Sequence, residues 1–134
     1  MTLDARISSV GEAPKRLASW GELCDHVHAT YGAREADGRI GVAAESAAAV
    51  VELRPIDVLG RPWLEVRGVL TRGGQAPSRP VLAKNFELPI GSLGMVDVEL
   101  SLRQFLPLGA LLAAALDDTI ACLTATILEG ARTP

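Results

Sequence analysis

The stretch Leu108–Glu129, LGALLAAALDDTIACLTATILE, decides how the chain is read. Leu112, Leu116, Ile120, Leu123 and Ile127 recur at steps of three or four, which lines them along one face of a helix. Burying each of these side chains is worth about 1.5–3 kcal/mol, so the five together rival the net stability of a small domain. The helix is therefore core, and the rest of the chain must supply the surface it lies on.

Upstream of it, Pro107 suits a first helical turn, and two short strands are expected at about Leu93–Val96 and Glu99–Phe105. Val96, Val98, Leu100 and Leu102 also alternate cleanly, so a single strand from Val96 to Leu102 is the other reading of this segment. Before it, Pro80–Phe86 reads as a short helix, and the Gly/Pro/Arg stretch Arg72–Arg79 reads as a loop.

The first half carries its own pattern. Met1–Gly11 is polar and aperiodic, a loose tail. A helix is expected from Pro14, with Leu17, Trp20, Cys24, Val27 and Tyr31 as its buried stripe and Gly32 as its end. Asp37-Gly38 signals a turn into a strand at Arg39–Glu45, where Ile40 and Val42 share a face. Ser46–Ala48 turns the chain into a second strand, Ala49–Ile56, whose Pro55 demands an edge or a bulge. A turn near Leu59-Gly60-Arg61 leads to a third strand, Pro62–Leu70, with Leu64, Val66 and Leu70 inward and Trp63, Glu65, Arg67 and Val69 outward. An outward indole either lies under a loop of its own chain or meets a partner.

The 134 residues fit one domain, taken as 12–130 with tails at 1–11 and 131–134. The net charge of −3 disfavours nucleic acid as a partner. Residues 1–80 hold ten acids and ten bases, whereas residues 81–134 hold six acids against three bases, so the excess negative charge lies in the C-terminal part. That balance fits either a solvated surface or a basic partner. No secretory signal is evident, and Asp117-Asp118 interrupts the one apolar run, Phe105–Leu128, so no membrane span and a cytoplasmic location are expected. Cys24 and Cys122 are expected to be reduced thiols.

Chemistry-bearing clusters are few. In Cys24-Asp25-His26-Val27-His28, Cys24 and His28 share a helix face while His26 points elsewhere, so no more than two ligands converge. The expectation is a Cys at the edge of the apolar stripe, two surface histidines and no metal. Gly91-Ser92-Leu93-Gly94 lacks the nucleophile-elbow pattern, and Gly73-Gly74 follows no phosphate-loop spacing. Asp117-Asp118 reads as a solvated face or an acidic contact. Neither catalysis nor a cofactor is expected.

One resemblance stands out. Val81–Met95 (VLAKNFELPIGSLGM), with Asn85 ending a short helix and Leu88-Pro89-Ile90-Gly91 opening a hairpin, is followed by Leu102–Leu108 (LRQFLPL) leading into the last helix. This run resembles the second half of type III secretion chaperone-like proteins and of the related YbjN-type putative sensory-transduction regulators. The order of the expected elements, α-β-β-β-α-β-β-α, argues for an α+β fold with an antiparallel sheet, and the resemblance implies that the sheet has five strands with helices on one face. It also implies a homodimer built around the short middle helix, for which Val81, Leu82 and Phe86 are the candidates. The function so implied is a non-enzymatic bacterial module that binds an extended segment of a client protein, with Trp63 and Val69 as contact residues. The alternatives are a YbjN-type regulatory module without a secretion client and a small-ligand binder.

Overall fold

The computed structural model describes residues 14–72, 92–96 and 99–132. The tail at 1–11, the short middle helix with Val81, Leu82 and Phe86, and the Gly73-Gly74 loop lie outside the described residues. Nine elements follow one another: β1 (Arg16–Leu17), α1 (Trp20–Tyr31), β2 (Ile40–Val42), β3 (Val51–Val58), β4 (Arg61–Arg72), β5 (Ser92–Val96), β6 (Glu99–Pro107), β7 (Leu111–Leu112) and α2 (Ala113–Arg132). The architecture is mixed α+β with antiparallel pairing throughout, as the sequence pattern implies.

The main sheet runs β2-β3-β4-β6-β5. Two tight primed turns shape it, one just ahead of β2 and one within the sheet. Asp37 and Gly38 (φ 55° and 78°) lead into β2, and Leu59 and Gly60 (φ 53° and 79°) join β3 to β4 through the pair Val58 and Arg61. Val96 pairs with Glu99, so the segment that allowed one continuous strand is a hairpin. Pro55 sits where the pattern requires: β2 reaches only Val51–Leu53, which leaves β3 from Arg54 onward without a neighbour on that side among the described residues.

Directly opposed residues share a face. Leu53, Val66 and Val51, Gly68, Leu102 therefore lie on the inner face, together with Leu64, and all are buried. Against them pack Leu116, Ile120, Leu123 and Ile127 of α2, joined in one cluster by Leu23 and Val27 of α1. At Gly68 the helix comes so near that an added Cβ would stand 2.2 Å from Ile127 Cδ1.

Both helices begin later than their periodicity implies. Ser19 caps α1, its Oγ accepting from Glu22 N at 3.2 Å while the Glu22 carboxylate accepts from Ala18 N at 2.7 Å. Ser19-Trp20-Gly21-Glu22 has the spacing of a capping box, with the Glu22 carboxylate reaching one residue past the cap to Ala18 N. Leu17 is buried as expected, but in β1, which pairs with Leu111-Leu112. Pro107 ends β6 instead of opening the last helix, and Leu112, placed on the helical stripe by its spacing, is an exposed residue of β7. The cause is shared: Ala113 N donates to Lys15 O at 2.9 Å, so strand pairing with β1 occupies the residues that would have formed the first helical turn. Among the described residues no helix is long and apolar enough to cross a membrane.

Gly68→Ala is expected to lower stability by about 1–2 kcal/mol, because the new methyl forces the tip of the buried Ile127 side chain out of its place. Adding Ile127→Val, which removes the offending Cδ1, is expected to recover part of that loss in urea denaturation; strictly additive losses would place the clash elsewhere.

Candidate functional site

Two clusters gather the side chains with chemistry. The first joins β1, α1 and α2. The capping of α1 at Ser19 turns Leu23, His26 and Val27 inward, so His26 is buried instead of lying on the surface as its sequence position implies. Burial is tolerated because both ring nitrogens have partners. His26 Nδ1 is 3.2 Å from Lys15 Nζ, and Nε2 is 3.0 and 3.1 Å from the two Asp117 carboxylate oxygens. An ammonium only donates, so Nδ1 accepts and the ring proton on Nε2 donates to Asp117. Tyr31 donates its hydroxyl to Asp117 Oδ1 at 2.8 Å. Asp117, expected on a solvated face, is thus a half-buried acceptor for two residues of α1, while its neighbour Asp118 is exposed.

An aspartate behind an imidazole is the arrangement that prepares a general base for a nucleophile. Here the nitrogen that would face the nucleophile faces Lys15 Nζ. The cluster works as a stitch that ties two helices and the strand before them across 91 residues of chain. Burial and the Asp117 carboxylate, which accepts its proton, push the Tyr31 hydroxyl well above the usual tyrosine range.

Cys24 is half-buried at the rim of the core, and Trp20 Nε1 donates to Glu35 beside it. Burial first, then Glu35 and Asp25, push its thiol up, which leaves it a weak nucleophile at neutral pH. His28 is exposed one turn away. Among the described residues no group of three or more His, Cys, Asp or Glu side chains is placed to hold a metal ion.

The second cluster lies on the outer face of the sheet, opposite α2. There Arg54, Glu65 and Phe105 form one cross-strand row and Ile56, Trp63 and Pro107 the next. Glu65 was expected to point outward, and it does, yet its side chain is only 5% exposed. Arg54 at 3.0 Å and Arg103 at 3.7 Å close over its two oxygens, and Arg103 lies 5.5 Å from the centre of the Phe105 ring. Trp63 is half-buried and Phe105 exposed, so this end of the face presents aromatic surface. Val69 sits at the other end, paired with the buried Ser101. Of the two contact residues expected from the sequence, Trp63 falls within the exposed cluster and Val69 beside its covered end. The alternation of β4 alone could have located Glu65, but the arginines that cover it come from two other strands.

Tyr31→Phe is expected to cost about 1 kcal/mol at pH 7, the worth of one hydrogen bond to a partly exposed carboxylate. The wild-type chain should also lose stability as pH rises above the unfolded tyrosine value near 10, because the folded state holds that proton more tightly than the unfolded one. Thermal melts from pH 8 to 11 should show a steeper alkaline fall for wild type than for Tyr31→Phe, and parallel curves would remove Tyr31 from the network.

Comparison with known proteins returned no match: no family model, no curated protein and no solved structure matches this chain.

Proposed function

We propose that the chain is a non-enzymatic protein-binding module of the type III secretion chaperone-like kind, acting in the bacterial cytoplasm and binding an extended segment of a client protein as a homodimer. The observation that carries this reading is the half-buried Trp63 beside the exposed Phe105 on the sheet face opposite α2. A rigid antiparallel sheet with aromatic surface on one face, and with β3 open along Arg54–Val58 among the described residues, suits the acceptance of an added strand. Main-chain hydrogen bonds would supply affinity, and side chains beside Trp63 would supply selectivity.

The same proposal includes the chaperone-type arrangement of helices on one face of a single five-stranded sheet, with a short helix between β4 and β5. It also includes dimer closure through Val81, Leu82 and Phe86. A helix that short cannot shelter three large apolar side chains by itself, so a second copy is the natural cover.

Light scattering is expected to give twice the chain mass for wild type and the single-chain mass for Phe86→Glu; an unchanged dimeric mass would place the interface elsewhere. In capture from native lysate, the tagged protein should retain one dominant partner through an N-terminal, low-complexity segment, and Trp63→Ala should release it. Recovery of nothing but the protein itself would overturn the client-binding reading.

A further inference from the structure

We propose that the exposed end of the outer sheet face docks an acidic extended segment, one that carries carboxylates at alternate positions and adds along Arg54–Val58 of β3, an edge that no described strand occupies. This rests on the protein-binding reading above and adds the chemistry of the partner. The chain as a whole is acidic, with a net charge of −3, but this face has the opposite sign outward.

The reason is an asymmetry of exposure. Glu65, the carboxylate at the centre, is 5% exposed, whereas the guanidiniums that cover it belong to side chains that are 49% (Arg54) and 37% (Arg103) exposed. The negative charge is turned inward and shared between two cations, so the solvent-facing side of the cluster is cationic. Arg61, exposed at the turn end of β4 and on the same face by register, extends that surface toward the β3 edge. Arg103, held between Phe105 and Glu65 two strands in from that edge, helps turn the Glu65 charge inward and leaves Arg54 and Arg61 as the cations nearest an added strand.

The layout selects an extended peptide. Side chains of a strand alternate, so acidic residues at every second position of an added strand would share the outer face with Arg54 and Ile56 of β3, its direct neighbours, and with Arg61 and Trp63 one strand further in. Single-stranded nucleic acid is a poorer fit. Its phosphates form a continuous line of charge, whereas the outward cations here are few and lie at one end of one face, matching a few spaced carboxylates.

Trp63 reports the event directly. With Trp20→Phe, Trp63 becomes the sole indole, and three blocked 12-residue peptides can be titrated: one alternating Glu with Val and Thr, one with Gln in place of Glu, and one with Lys. A 12-nucleotide oligo-dT is the fourth probe. The acidic peptide is expected to change Trp63 emission and to bind about tenfold tighter than the Gln peptide at 50 mM salt, a contrast that should shrink several-fold at 0.5 M as screening sets in. Arg61→Glu, which leaves the Glu65 pairs intact, should weaken the acidic peptide about fivefold with an unchanged circular dichroism spectrum. Equal binding of the Glu and Gln peptides, or tighter binding of the Lys peptide, would overturn the acidic specificity and leave the protein-binding reading standing. Tightest binding of oligo-dT, or no response to any probe, would overturn both.

Discussion

The close contact between Gly68 and Ile127 sets the distance at which everything else is arranged. The apolar stripe of α2 leaves water only by lying on the inner face of the sheet, and it reaches that face at a residue with no side chain. With α2 so seated, Leu116, Ile120 and Leu123 join Leu53, Leu64, Val66 and Leu102 in one core, with both cysteines free. One face of the sheet is thereby consumed by packing, and whatever the other face does is determined by its own residues.

Among the described residues the two buried titratable side chains, His26 and Glu65, are each multiply held. His26 is gripped from both sides, by Lys15 and Asp117, and Asp117 also accepts from Tyr31, so α1 is locked to α2 by directional contacts in addition to Leu23 and Val27. Glu65 is the counterpart on the outer face, a nearly buried carboxylate under two arginines. Such pairs contribute modestly to net stability, since desolvation offsets much of the attraction, but they fix geometry. The His26 cluster fixes the N-terminal strand and helix against the core, and the Glu65 cluster fixes which charges look outward.

Much of this was readable from local pattern. The two glycine turns, the inward faces of β2 and β3, the edge position of Pro55 and four of the five stripe residues of α2 all follow from periodicity and from the backbone demands of Gly and Pro. These are properties of one short segment at a time. Where the reading departed from the structure, as at Leu17, Pro107 and Leu112, a distant segment had intervened: β1 pairs with β7 and takes residues that helical spacing alone assigns to helices.

The amino-acid sequence by itself determined the class of the fold, the position of its turns and the apolar stripe around which it condenses, because period and turn chemistry are written in neighbouring residues. Only the tertiary structure decided the burial of His26, its pairing with an aspartate 91 residues away, and the covering of Glu65 by arginines from two other strands. Those contacts depend on which elements become neighbours in space. That is settled by the joint packing of helix and sheet, and no single segment encodes it.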